Sequence, residues 1–114
     1  MDELPAITKI YDILLWLIQR TSKFPKNQRY LIGERLENNG LDILEYLIEA
    51  RFSKNKFQKI QDADSKIQIL RYLIRMTKDL KLLQENQYIY IIKEIDELGR
   101  MIGAWKKNIE QRKN

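Results

Sequence analysis

The chain has 114 residues, of which 44% are hydrophobic and 32% charged, and its formal net charge is +5. This length fits one domain, and the hydrophobic share is large enough to form a core. No apolar run approaches the roughly 20 residues that span a bilayer, which excludes a membrane protein. The absence of cysteine excludes disulfides. Because no basic segment followed by an apolar one opens the chain, we expect no signal peptide and a cytoplasmic protein.

Hydrophobic residues recur every three or four positions through four long segments, which is the period of an amphipathic helix. The first helix is predicted over about residues 4–22, with Pro5 in the first turn, where its missing N–H costs nothing. Ile13, Leu15 and Trp16 widen its apolar face beyond what one partner helix needs. We therefore expect this helix to lie centrally in a bundle or to be covered by another subunit.

A second helix is predicted over residues 26–52, because Pro25 biases the residue before it away from helical dihedral angles. The triplet Asn38-Asn39-Gly40 complicates this prediction, since Asn-Gly is a strong turn signal. A break there would give two short helices. The apolar residues, however, keep the same phase before and after Gly40. We therefore predict one continuous helix, with Gly40 tolerated on its buried face.

The third and fourth helices are predicted over residues 57–84 and 86–109, followed by a flexible tail at 110–114. The fourth segment has the most regular helical period. Gly99 and Gly103 lie on its apolar face, so we expect another helix to approach closely there. Four long helices joined by short corners predict an all-α fold, an antiparallel up-down-up-down four-helix bundle forming a single domain.

Basic residues are predicted to follow the surface of this bundle. On the third helix Arg71, Arg75 and Lys78 stand at i, i+4 and i+7, off the apolar face, and Arg35 extends a similar stripe on the second helix. Such stripes suit phosphate contacts along a nucleic-acid backbone. They are also typical of a solvated helix face whose cations pair with carboxylates such as Asp79, Glu45 or Glu49. The sequence leaves both interpretations open.

The predicted topology also gathers basic residues at the end of the bundle that holds the first and third corners. These residues are Arg20, Lys23, Lys26, Arg29, Lys78 and Lys81. Together with the net charge, this cluster favours a polyanionic partner such as nucleic acid.

Groups that carry catalysis are missing from the sequence. It contains no histidine, which excludes histidine general bases and the Glu-x-x-His pairs of di-iron bundles, and it has no Gly-rich phosphate loop. Asp42, Glu45 and Glu49 share a helix face, but carboxylates on an exposed face are typically ion-pair partners. We expect no enzyme activity, no metal site and no cofactor.

Short motifs in the sequence resemble those of a known family. Phe24-Pro25-Lys26 and then Arg29-Tyr30 open the second helix, and residues 95–105 read IDELGRMIGAW. With these motifs the chain resembles the accessory variability determinant (Avd) proteins of diversity-generating retroelements. That family lies within a wider group of bacterial four-helix proteins, which includes the 23S ribosomal RNA intervening-sequence proteins. The resemblance covers about residues 4–106.

The resemblance implies a four-helix protomer that assembles into a pentameric barrel with a basic surface. It implies a non-catalytic accessory protein that binds the retroelement's reverse transcriptase and nucleic acid, as template RNA or cDNA, and supports mutagenic retrohoming. The alternative is a structural or interaction bundle of the intervening-sequence type, without a strong nucleic-acid role. The motifs that carry the resemblance do not include the triplet at residues 38–40, which leaves the middle of the second helix open. The residues predicted to contact nucleic acid or a partner are Lys26, Arg29, Arg35, Arg71, Arg75, Lys78 and Arg100.

Overall fold

The computed structural model describes residues 3–112, with side chains from residue 5 onward, and these residues form four helices and no strand. The first helix spans Glu3–Thr21, the second residues 26–52, the third Lys56–Asp79 and the fourth Glu85–Arg112. Each helix packs against two neighbours, in the cyclic order first, second, third and fourth. The predicted all-α, up-down-up-down four-helix bundle is therefore confirmed, with extents of 50 × 23 × 19 Å.

A single apolar core runs along the axis of the bundle. Ile10, Ile43, Ile67 and Ile95, one from each helix, are completely buried. Burying a side chain of this size contributes about 1.5–3 kcal/mol, so the residues at the helical period decide which face of each helix points inward. None of the helices in residues 3–112 has the length and apolarity needed to cross a membrane.

The second helix contains a π-helical turn that the sequence did not predict. It begins with Lys26–Gln28, widens over Arg29–Gly33 and continues as an α-helix over Glu34–Phe52. A π-helical turn holds more residues than an α-helical one and so shifts the phase of what precedes it. Arg29 lies seven residues before buried Leu36, so a regular α-helix would bring Arg29 towards the buried face, whereas here its side chain is exposed.

The second helix runs unbroken through the triplet at residues 38–40, where Gly40 is buried against the first helix. A Cβ atom on Gly40 would lie 2.5 Å from Cδ1 of Leu14. That distance is far below van der Waals contact, so a side chain at position 40 would force the buried Leu14 side chain to move. The Asn-Gly turn signal is thus overridden by helix packing.

The third helix ends at Asp79, five residues before the predicted end at Gln84. The chain turns at Lys81, whose φ of 64° is left-handed. The N–H of Lys81 donates to the carbonyl of Lys78, and the N–H of Leu82 donates to the carbonyl of Thr77. This is the Schellman pattern of a helix C-terminus. The prediction was wrong because glycine or asparagine is the usual signal for the left-handed position, which a lysine occupies here.

The fourth helix extends beyond both of its predicted ends. It includes Glu85 and continues to Arg112, so residues 110–112 of the predicted flexible tail are helical and residues 113–114 lie outside the described part. Within the described residues of one chain, no other helix backbone approaches closely at the two glycines. A Cβ on Gly103 would meet no atom within 4 Å, and the nearest atom to one on Gly99 is Nη2 of Arg71, at 3.0 Å.

We expect Gly40→Ala to lower the free energy of unfolding. The added methyl group displaces buried Leu14, and overpacking of this kind costs about 1–3 kcal/mol, more than the gain of up to about 1 kcal/mol in helix propensity. Urea denaturation followed by circular dichroism measures the change. Gly103→Ala is the matched control, because it adds the same group in open space and is expected to stabilise the bundle. Equal effects of the two substitutions would contradict the packing role of Gly40.

Candidate functional site

The predicted binding residues do not converge on one site. Lys26, Arg29 and Arg35 lie on the first turns of the second helix, and Arg71, Arg75 and Lys78 lie on the third helix. Arg100 lies on the fourth helix. The structure therefore offers several basic surfaces, which differ in whether their cations are already paired.

One end of the bundle, which we call the basic end, holds Arg20, Lys23, Lys26, Arg29 and Lys81. Arg20, Lys23 and Lys81 line one cavity of about 320 Å³ there, and Lys26 and Arg29 line another of about 260 Å³. Lys23, Lys26 and Lys81 are exposed. No ion pair joins these three lysines to a carboxylate within residues 5–112. The basic end thus presents uncompensated positive charge to solvent.

Two residues of the predicted third-helix stripe are paired with the fourth helix. The guanidinium of Arg71 bonds the carboxylate of Asp96. Nζ of Lys78 lies 3.6 Å from Oε2 of Glu85 and 4.6 Å from the centre of the Tyr88 ring. These partners are on the neighbouring helix, whereas the sequence suggested Asp79. Arg71 and Lys78 therefore help to join two helices and carry less free charge than the sequence implied.

Arg75, between those two residues on the same helix, is exposed and forms no ion pair with the described carboxylates. It lines a groove of about 300 Å³ between the third and fourth helices, together with Tyr72 and Tyr88. The Tyr72 side chain is 72% exposed. A free cation beside an exposed ring can hold a phosphate while the ring stacks on an unpaired base.

Arg35 and Arg100 are also exposed, and neither is in an ion pair with any carboxylate that the structure describes. Arg35 lines a groove between the second and third helices. Arg100 stands on the outer surface of the fourth helix, with exposed Lys93 and Lys107 seven residues on either side. Residues seven apart lie on one helix face at intervals of about 10.5 Å. The sequence analysis missed Lys93, which this spacing of i, i+7 and i+14 would have indicated.

Several other cations are neutralised by carboxylates across helix interfaces. Lys9 pairs with Glu94 and Glu97, Lys59 with Glu49, Lys66 with Asp42 and Lys106 with Asp64, at distances between 2.8 and 3.4 Å. Asp42 and Glu49, which the sequence indicated as ion-pair partners, thus have that role. Within residues 5–112 no group of three carboxylates is arranged to hold a metal ion.

Two of these lysines have perturbed pKa values. Burial lowers the pKa of Lys9, but its hydrogen bonds and attraction to Glu94 and Glu97 outweigh this and raise the pKa above its usual 10.5. The hydrogen bond to Glu49 likewise raises the pKa of Lys59. On the lysine side, the stability that these pairs contribute is therefore present at neutral pH and is lost as the pH rises through the raised pKa values.

We expect Arg71→Gln to destabilise the fold more than Arg75→Gln, because only Arg71 bridges two helices. A double-mutant cycle with Asp96→Asn should give a coupling free energy of about 0.2–1 kcal/mol, as for other half-exposed pairs. Arg75→Gln is the control, with an expected change within about 0.5 kcal/mol. Chemical denaturation measures all four variants. A coupling free energy of zero would mean that Arg71 gains no stability from Asp96 and acts as an unpaired surface cation.

Comparison with known proteins gives a family and a fold. The bAvd family model, described as bAvd-like, matches residues 6–109. A protein of unknown function from the S23 ribosomal protein family of Bacteroides thetaiotaomicron VPI-5482 has a similar crystal structure, with a TM-score of 0.85. The two chains are 14% identical, with 94% of this chain and 99% of that chain covered, so this likeness shows the fold alone. No curated protein matches. Because the family model spans most of the sequence, the family predicted from the short motifs is confirmed, and the chain belongs to the bAvd-like family.

Proposed function

We propose that this protein is a non-catalytic accessory protein of a diversity-generating retroelement, which binds single-stranded nucleic acid and reverse transcriptase. Membership of the bAvd-like family supports this assignment. The observation that carries it is the set of exposed cations without an ion pair among the described carboxylates. These cations include Lys23, Lys26, Arg35, Arg75, Lys81 and Arg100.

The unpaired cations can bind phosphates because their charge is not used inside the bundle. A cation that contacts a phosphate releases condensed counterions, and this release makes binding tighter at low salt. Tyr30 and Tyr72 are both largely exposed, next to Arg29 and near Arg75 respectively. Exposed rings stack on unpaired bases with little regard to sequence. The surface therefore suits a single-stranded template RNA or its cDNA better than a rigid duplex.

The strained backbone at Lys81 supports the same proposal. A left-handed φ costs an ordinary residue free energy that glycine does not incur. A lysine at this turn gives up some stability and gains a cation at the basic end. Such local strain is common where a side chain has a function beyond folding.

We also propose that the protomers assemble into a ring, with five subunits as the resemblance implies. Tyr11, Leu15 and Ile18 recur along the first helix at three- and four-residue spacing, and each side chain is more than 40% exposed. Such an apolar face on a monomer favours a covering partner. When two different faces of identical chains contact each other, the subunits form a closed ring if the rotation from one subunit to the next is a whole fraction of a full turn. The first helix would then be covered by a neighbouring subunit.

The second candidate is an interaction bundle without a strong nucleic-acid role. The pairing of Arg71 and Lys78 with the fourth helix favours it, because it removes two cations from the predicted stripe. The two candidates differ in what the remaining free cations do, so they are separated by binding measurements on charge variants.

We expect the double variant Arg75→Gln, Arg100→Gln to lose affinity for a 20-nucleotide single-stranded RNA. Each lost phosphate contact should reduce the slope of log affinity against log salt by about 0.7, which gives about 1.4 for the two together. Fluorescence anisotropy at several salt concentrations measures the slope.

The matched control for this charge test is Lys59→Gln, Lys106→Gln, which removes the same net charge from ion-paired positions. It is expected to keep the slope of the unmodified protein. Equal losses in the two double variants would assign the effect to net charge alone. If the unmodified protein binds no RNA at low salt, the interaction bundle replaces the leading proposal.

We expect Leu15→Glu to dissociate the assembly, because it places a charge within the apolar face of the first helix. Multi-angle light scattering should change from the mass of an oligomer to the 13.8 kDa of one chain. Gln61→Glu, an exposed position on the third helix, is the control and should leave the oligomer intact. A monomeric unmodified protein would rule out the ring.

A further inference from the structure

The third helix carries exposed apolar residues on the side that faces away from the core. Ile67 of this helix is completely buried. Ile69, Met76 and the C-cap residue Leu80 lie nearly opposite it around the helix, and between 42% and 54% of each side chain is exposed. With half-buried Leu73 they recur at intervals of four, three and four residues, which aligns them along the helix. We call this aligned set the outer strip, which consists of Ile69, Leu73, Met76 and Leu80.

The outer strip occupies only the second half of the third helix. Towards the start of the helix the same side carries polar residues, namely Gln58, Asp62 and Ser65. Ile69 and Leu80 are 11 positions apart, which corresponds to about 16.5 Å of helix. Single apolar residues on a surface are ordinary, whereas an aligned set of them is typical of a surface that contacts another molecule. We therefore expect a covering partner along this half of the helix.

An apolar surface of the same length lies on the first helix. It begins at half-buried Ile7, continues through exposed Tyr11 and ends at exposed Ile18, which is 11 positions after Ile7. Lys9 pairs with Glu94, so its side of the first helix meets the fourth helix. Tyr11 and Ile18 lie nearly opposite Lys9 around the helix. The apolar surface of the first helix therefore borders the second helix.

The second helix extends this apolar surface. Glu37 accepts a hydrogen bond from the hydroxyl of Thr21, so its flank of the second helix borders the first helix. Leu41 and Ile48 follow Glu37 by four and eleven residues on the same flank, and their side chains are 41% and 40% exposed. The two helices thus form one apolar surface, which we call the paired-helix face and which consists of Ile7, Tyr11, Leu15, Ile18, Leu41 and Ile48.

The charges beside the two surfaces have opposite signs. Asp12 and Glu45, next to the paired-helix face, are exposed, and neither forms an ion pair with a described residue. Arg35 and Arg75, which line the grooves beside the outer strip, are likewise unpaired among the described carboxylates. Opposite charges favour contact between the two different surfaces and disfavour contact of either surface with its own copy. The rim of such a contact stays accessible to solvent, so both arginines remain available to phosphates.

We infer that the outer strip of one subunit packs against the paired-helix face of the next subunit. The inference rests on the proposed ring and names the second of the two faces that such a ring needs. One chain cannot bring the two surfaces together, because they lie on different sides of its own bundle. Their equal lengths let the third helix lie along the groove between the neighbour's first and second helices for about three turns. The outward side of the fourth helix, which carries Arg100, is left uncovered for nucleic acid.

Met76→Glu tests the outer strip. It places a charge in the middle of the strip, so multi-angle light scattering should show the 13.8 kDa of one chain in place of an oligomer. Gln58→Glu is the matched control and should leave the oligomer intact. Gln58 is exposed on the same side of the third helix, five turns before Met76. Circular dichroism should show the helical content of the unmodified protein in both variants, because both positions are exposed.

Chemical crosslinking tests whether the two surfaces meet each other. The chain has no cysteine, so a short bismaleimide joins only thiols that are introduced by substitution. The double variant Leu15→Cys, Met76→Cys should give a ladder of crosslinked chains on a denaturing gel, ending at the number of subunits in the ring. Each single-cysteine variant should stay uncrosslinked, because each surface meets only the other kind. The double variant Leu15→Cys, Gln58→Cys is the control and should give no ladder.

The outcomes separate this contact from the proposals on which it rests. An oligomer that survives Met76→Glu, or a Leu15→Cys, Met76→Cys variant without a ladder, would overturn the contact and leave the ring in place. Crosslinking of Met76→Cys with itself would show that the outer strip meets its own copy and would also overturn the contact. A monomeric unmodified protein would overturn the ring and the contact together. RNA binding is measured with the charge variants at Arg75 and Arg100, so its failure would overturn the proposed function without touching this contact.

Discussion

The close crossing of the first and second helices at Gly40 is the constraint on which the other features of the second helix depend. The Leu14 side chain occupies the space in which a side chain at position 40 would lie, so it packs directly over the backbone of the second helix. This contact lets the second helix run through an Asn-Gly sequence that would otherwise turn the chain. With Gly40 fixed against the first helix, the residues on the other flank of the second helix face the third. Asp42 pairs there with Lys66, and Asn39 lines the groove between the two helices.

The helices were predictable because their apolar period reflects the dominant force that holds them. The side chains that fill the core, such as Ile10 and Ile95, recur at the spacing that one buried helix face requires. The features that the sequence did not predict depend on local backbone energies, which leave no periodic pattern in the sequence. The π-helical turn at Arg29–Gly33 has no residue signature, and the third helix ends at a left-handed Lys81 in place of the usual glycine. The glycines on apolar helix faces were interpreted as sites of close helix contact. Gly40 makes such a contact, whereas Gly103 makes none within the described residues.

The candidate site was less predictable than the fold, because whether a cation forms an ion pair depends on residues far away in the sequence. Arg71 and Arg75 are four residues apart and similar by pattern. Arg71 is paired with Asp96, 25 residues further along the chain, whereas Arg75 has no partner among the described carboxylates. Only the packing of the third helix against the fourth distinguishes them. The sequence could therefore indicate which residue types bind nucleic acid, but not which copies of them are free.

The separation of ion-paired from unpaired cations bears directly on how the bundle, as proposed, could bind a nucleic acid without losing stability. Cations at helix interfaces, such as Lys9 and Lys106, compensate carboxylates, and the raised pKa of Lys9 keeps that residue charged well above neutral pH. Because these interface charges are neutralised, the net positive charge of the chain lies on the exposed residues. Each exposed cation is screened by salt and contributes little to the stability of the fold. Phosphates could therefore bind to these exposed cations and leave them without any helix interface having to open. Asn39 differs from these cations, since its buried Oδ1 has no hydrogen-bond partner among the described residues and so costs the fold stability.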